Sequence, residues 1–112
     1  MEREESEISV KTTPVFDKWH EKIRKKDSVL YLTIALRLRR LAQGDFGDHK
    51  EFGGIFELRI FSGGGVRIYC KLIGNTLVVL LCGGKKDTQQ GDIAKAKELA
   101  EEVVNDYETE RF

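Results

Sequence analysis

Around a glycine-rich turn, two short runs of this chain alternate apolar and polar residues with a period of two. In the first, Phe56, Leu58 and Ile60 point one way and Glu57, Arg59 and Phe61 the other. In the second, Val66, Ile68, Cys70 and Leu72 share a face opposite Arg67, Tyr69 and Lys71. Side chains of a strand alternate between faces, so the pattern predicts two strands with one apolar face. The other face is rich in cations and aromatics. A one-residue slip would carry the charges into the core, so the turn must hold an odd number of residues. Ser62, Gly63 and Gly64 fit, with Gly65 or Gly64 free to adopt a left-handed bulge conformation. Ile60 then pairs with Val66, Leu58 with Ile68, Glu57 with Tyr69, and Arg59 with Arg67.

Like charges directly opposite one another cost a sheet a few tenths to about 1 kcal/mol. One reading is that Arg59 and Arg67 share a single anion on an open, solvent-facing sheet surface. The other is that both reach outward to separate carboxylates, Glu57 being a candidate.

Across all 112 residues the formal charge is zero, but its distribution is uneven. Residues 1–8 carry −3 and residues 101–112 carry −4, while residues 9–100 hold 17 Lys/Arg against 10 Asp/Glu, a net +7. A basic body between acidic ends points to nucleic acid or an acidic protein partner. The ends either aid solubility or fold over the basic face. No apolar run approaches the roughly 20 residues of a membrane helix, so no membrane partner is expected. The acidic start, MEREESE, has the wrong chemistry for a signal peptide. Cys70 and Cys82 lie in apolar strands and read as small core residues in a reducing cytoplasm.

The length suits one domain, residues 1–112. A strand is expected over residues 6–12. Pro14 suits the first turn of a helix carrying Val15, Phe16, Trp19 and Ile23 at helical spacing, which ends in a basic run. Asp27 or Ser28 caps a second helix striped by Leu30, Ile34, Leu38 and Leu41. Residues 45–54 read as a polar loop. Strands follow near 55–61, 66–72 and 76–82, the last two joined through Gly74-Asn75. The third is apolar on both faces, as a central or helix-covered strand would be. After Gly83 and Gly84, Thr88 or Asp87 caps a final helix whose buried stripe runs through Ile93, Ala96, Ala100, Val103 and Tyr107. The expected fold is α+β, in the order β-α-α-β-β-β-α. A helical hairpin packs on a small antiparallel sheet, a C-terminal helix follows, and one sheet face stays partly open.

An ordered set of segments then stands out between about residues 14 and 105. It comprises Phe16 to Trp19 (FDKW), Leu38 to Asp45 (LRRLAQGD), Gly54 to Ile60 (GIFELRI) and Val66 to Tyr69 (VRIY). Leu80 to Gln89 (LLCGGKKDTQ), Asp92-Ile93 and Ala96 complete it. In this set the chain resembles the RelE/ParE/HigB superfamily of bacterial toxins, in its addiction-module killer, phage-derived toxin-like branch. The resemblance implies a cytoplasmic toxin neutralised by a cognate antitoxin, often a helix-turn-helix DNA-binding protein. Most such toxins cleave mRNA, commonly in the ribosomal A site, whereas ParE relatives poison DNA gyrase. Carried over by motif, the implied site residues are Arg59, Arg67, Tyr69, Lys86 and Gln89. Position 85 departs from the branch, which usually has aspartate there; Lys85 makes the site more basic.

RNA carries its own nucleophile in the 2′-hydroxyl, so a ribonuclease of this kind requires neither cofactor nor metal. It must align that hydroxyl with the phosphorus and stabilise the charge of the transition state. Arg59, Arg67 and Lys86 are suited to the charge, and Tyr69 to stacking on a base or assisting proton transfer. The glycines at 83 and 84, read as a turn into a helix N-terminus, would add backbone donors. Lys71, Lys85, Gln89, Arg39 and Arg40 are the expected further RNA contacts, the last two also suiting an acidic antitoxin segment. Lys85 and Lys86 otherwise read as a solvated loop. No general base is evident. His49, in the loop, is the one histidine placed to reach the sheet edge, and His20 reads as a surface residue. The expected activity is a ribosome-dependent, metal-independent mRNA endonuclease. The alternatives are a gyrase-poisoning toxin and a domain that binds antitoxin or RNA without cutting.

Overall fold

A computed structural model describes residues 8–60 and 65–111. Residues 1–7, Phe61 and the turn residues 62–64 lie outside it, as does the expected start of the first strand at Ser6. The elements are β1 (Ser9–Thr12), α1 (Pro14–Lys26), α2 (Ser28–Ala42), β2 (His49–Phe52), β3 (Ile55–Ile60), β4 (Val66–Ile73) and β5 (Leu77–Lys85). A 3-10 turn (Lys86–Thr88) then leads into α3 (Gln89–Arg111).

The strands form one sheet in the order β1-β5-β4-β3-β2, and the fold is α+β. Two features differ from expectation. The sheet is mixed, because β1 runs parallel to β5, Ser9 facing Leu77. The stretch expected as loop also contains a strand, β2, joined to β3 through Gly53 and Gly54 at φ 54° and 94°. Two consecutive left-handed residues make the turn whose twist suits a tight hairpin. Its glycines were the available signal.

The register of β3 with β4 is the expected one: Ile60 faces Val66, Leu58 faces Ile68, Glu57 faces Tyr69 and Arg59 faces Arg67. Gly65 takes the left-handed conformation, φ 81°. One layer of core lies under the helical hairpin, where Phe16, Leu30, Ile34 and Leu41 meet Leu58, Ile60, Val66, Ile68 and Cys70. Thr13 caps α1, accepting from Phe16 N at 3.1 Å and donating to Leu81 O at 2.6 Å. Asp27 caps α2, accepting from Leu30 N at 3.0 Å.

The second face is not open. α3 lies across it, and Ala96 and Ala100 join Ile55, Tyr69, Val79, Leu81 and Cys82 in a second core layer. Acidic residues expected as a C-terminal tail continue this helix, and Tyr107, expected in its buried stripe, is 37% exposed. Both layers meet on β5, an interior strand between β1 and β4. A bulge there sets Tyr69 opposite Cys82 but Cys70 opposite Leu80, leaving Leu81 as an extra residue. Beyond the bulge, Gly83 and Gly84 are strand residues rather than a turn, each admitting one helix. A Cβ on Gly83 would stand 2.6 Å from the Trp19 ring of α1, and one on Gly84 would stand 1.9 Å from the Asp92 carboxylate of α3. Among the described residues no helix is long and apolar enough to cross a membrane.

Candidate functional site

The register that sets Arg59 opposite Arg67 also sets a carboxylate between them. Glu57 is fully buried. Its Oε1 accepts from Arg59 Nε at 3.1 Å, and its Oε2 accepts from the Tyr69 hydroxyl at 3.1 Å and from Gln89 Nε2 at 2.6 Å. Arg67 Nε lies 3.4 Å from Oε2, close enough for an ion pair but not aligned for a hydrogen bond. Arg67 Nη1 instead donates to Gly65 O at 3.0 Å. The two arginines therefore share one anion, and within the fold that anion is Glu57. Of the two readings of the like-charge pair, the second named this residue.

Four of the expected site residues, Arg59, Arg67, Tyr69 and Gln89, thus converge on one carboxylate. Gln89 arrives from 32 residues along the chain because the 3-10 turn and the start of α3 fold back over the sheet. Thr88 stabilises that return by donating to Asp92 Oδ2 at 2.6 Å. Lys86 flanks the group: a Cβ on Gly65 would lie 3.6 Å from both Arg67 Nη1 and Lys86 Cβ. Two guanidiniums against one carboxylate leave a net positive charge facing the rim, where the Arg59 side chain is 29% exposed. Among the described residues the ammonium groups of Lys85 and Lys86 and the terminal nitrogens of Arg59 have no hydrogen-bond or ion-pair partner.

Tyr69 has a different place from the one expected. It is fully buried, so it cannot stack on a base, and its hydroxyl is committed to Glu57. Burial, reinforced by that carboxylate, pushes the phenol well above its ordinary value. It is a positioning group for the carboxylate at neutral pH.

The remaining expected residues are dispersed. Lys71 lies at the far end of β4, donating to Gly54 O at 3.0 Å. Arg40 pairs with Asp45 at 3.0 Å and shares with Arg59 a cavity of about 530 Å³ between α2 and the end of β3. Arg39 is exposed on α2. Lys85 pairs with Val66, on the hairpin side of the sheet rather than with the arginines. His49 pairs with Leu58, also on that side, and packs against Phe46 and Phe56, so it does not reach the Glu57 group. His20 is no simple surface residue, because its ring stacks on Tyr31 at 4.4 Å and its Nε2 is buried.

Two contributions escaped the sequence. Lys50 faces Glu57 across β2 and β3, adding a cation to the same face. Arg37, on α2, is buried. It donates to the carbonyls of Arg59 at 2.6 Å, Phe46 at 2.8 Å and Asp48 at 2.6 Å, fixing the strand end that carries Arg59. Cys70 and Cys82 are free and buried, which pushes their thiols up to about 12 and about 11. Neither thiol is a nucleophile at neutral pH.

No family model matches the chain. An uncharacterized protein of Haemophilus influenzae is 48% identical to it over 97 residues, which cover 86% of this chain and 96% of that protein. The chain belongs to the same family as this Haemophilus influenzae protein.

Proposed function

We propose that this protein is the toxin of a type II toxin–antitoxin pair, a cytoplasmic endoribonuclease that cuts mRNA on the ribosome without a metal. The observation that carries the reading is the convergence of Arg59, Arg67 and Lys86 at one end of the sheet, with Glu57 holding the arginines in place. Arg40 continues the cationic line across the shared cavity to α2. A polyanion meets preorganised charge along this line, and a donor aimed at developing charge is worth roughly 10²–10³ in rate.

In this mechanism the RNA 2′-hydroxyl attacks the adjacent phosphorus in line, losing its proton to solvent water, while the 5′-oxygen departs and takes a proton from solvent. Arg59 and Lys86 take the non-bridging oxygens from the exposed rim, and Arg67 supports them from behind. The products are a 2′,3′-cyclic phosphate, which adds water to give a 3′-phosphate, and a 5′-hydroxyl. The test is end chemistry: RNA from induced cells should gain ends that ligate as 5′-hydroxyls. New ends bearing 5′-phosphates would overturn the mechanism.

An antitoxin partner is supported by α2. Val29, Leu32 and Leu36 are 71%, 62% and 60% exposed along one outer stripe, and no acidic residue occurs from 28 to 42. An acidic amphipathic helix matches such a face.

A second reading, binding without cutting, draws on the sealed Tyr69 hydroxyl and on His49 standing on the opposite side of the sheet. It predicts growth arrest or antitoxin binding with no new RNA ends. A gyrase poison would leave mRNA intact and accumulate DNA cleavage complexes.

A further inference from the structure

Beside the cationic cluster, on the hairpin side of the sheet end, is a cavity of about 240 Å³ that the mechanism does not use. Its floor is apolar, made by Trp19, Ile23, Leu30 and Val66. Its rim carries Lys22, Lys26 and Lys85. Among the described residues one acid lines it, Asp27, and an oxygen of that carboxylate is committed to capping α2. Trp19 is held in place rather than free to swing, because its ring lies on Gly83 and packs against Phe16 at 5.6 Å.

We infer that this cavity is a nucleobase subsite for single-stranded RNA held at the Arg67 and Lys86 end of the sheet. The inference rests on the ribonuclease reading and names where a base beside the bound phosphate goes. Continuity is given by the strand register. Val66 on the floor neighbours Arg67 in β4, and Lys85 on the rim neighbours Lys86, so the two sites lie on either side of one strand end. An extended strand crossing that end places a phosphate among the cations of one side and a base over Trp19 on the other. An apolar floor with an indole and a ring of lysines fits an aromatic base attached to phosphates. It does not fit an uncharged apolar ligand, which gains nothing from three ammonium groups, or a bare phosphate, which gains nothing from the floor. Bases stack on aromatic side chains whatever their identity, so the subsite anchors the strand without reading its sequence.

Trp19 is the single tryptophan of the chain, so its emission reports contacts at its own ring, which lines this cavity and a neighbouring hollow beside Pro14, Val15 and Lys95. The full chain is titrated with a fluorescently labelled single-stranded RNA octamer and with the same backbone lacking bases. Anisotropy of the label reads binding, and Trp19 emission reads the cavity. The octamer should bind about ten-fold more tightly than the abasic strand and alone should quench Trp19. Lys22→Gln with Lys26→Gln, both exposed positions, should weaken binding of both strands and leave the circular dichroism unchanged. Equal binding of the two strands, or tighter binding of the octamer without quenching, overturns the subsite while leaving the RNA reading in place. No anisotropy change with either strand overturns both.

Discussion

Replacing Glu57 by glutamine is the sharpest perturbation of this fold. All four neighbours of the carboxylate are donors: Arg59 Nε, Arg67 Nε, the Tyr69 hydroxyl and Gln89 Nε2. An ionised carboxylate accepts at about four positions, whereas an amide offers one oxygen and two further donors. Tyr69 and Gln89 are neutral and can reverse their roles by rotating. The arginines cannot, and the Arg67 side chain is only 11% exposed. Breaking a buried pair by removing one partner costs roughly 3–5 kcal/mol, and partial hydration of Arg59 places this case near the low end, about 3 kcal/mol. At roughly 4 °C per kcal/mol for a chain of this size, the midpoint should fall by about 12 °C. Thermal unfolding followed by circular dichroism measures the midpoint, and urea unfolding the free energy, with an unchanged urea slope as the check that only stability moved. Adding Arg67→Met to Glu57→Gln should recover at least about 1 kcal/mol, since the uncompensated cation is then gone. A loss below about 1 kcal/mol, or no recovery in the double variant, would refute the claim that Glu57 is the shared anion.

Two further consequences concern the helices packed on the strand end and on each other. Gly84→Ala should cost about 1–3 kcal/mol and expose the start of α3 to hydrogen exchange, because a Cβ 1.9 Å from Asp92 displaces the Thr88–Asp92 bond; native-like protection there would contradict this. Burial pushes His20 below its ordinary 6.5, against the pull of Asp17 and Glu21. Above pH 6.5 the ring is neutral in both states; below it the unfolded chain takes the proton first, so stability falls as pH drops through this range. Urea midpoints at pH 7.5 and 5.5 should differ less in His20→Gln than in the parent, and equal differences would remove His20 from the account.

How far the chain could be read in advance depended on whether neighbouring side chains or distant ones decide an element. The pairing of β3 with β4 followed from alternation alone, since any slip buries Arg59 and Arg67 without Glu57. α1 and α2 announced themselves by stripe and cap. β2 did not, because its four residues, three of them exposed, form a strand through backbone pairing with β3 and carry little apolar pattern. Nor did the direction of β1, which depends on its docking beside Thr76 and Leu77. The covered second face was the main surprise. Polar residues on one strand face read as exposed, but here Glu57, Tyr69, Arg67 and Gln89 satisfy one another, so α3 can bury them. Gathering Gln89 and Lys86 to the arginines required the β5 bulge and the two glycines after it. Their fit to Trp19 and Asp92 is a matter of tertiary contact.

The central claim is that the cationic end of the sheet cuts mRNA during translation. The most direct measurement is a transcriptome-wide map of RNA 5′ ends after brief induction in a bacterium, with Lys86→Ala as the control. Lys86 is exposed, and among the described residues its ammonium group has no partner, so this variant should fold normally. The account predicts new 5′ ends confined to translated regions in the parent and their disappearance in Lys86→Ala. Growth arrest with intact mRNA, or the same cuts in the variant, would contradict it.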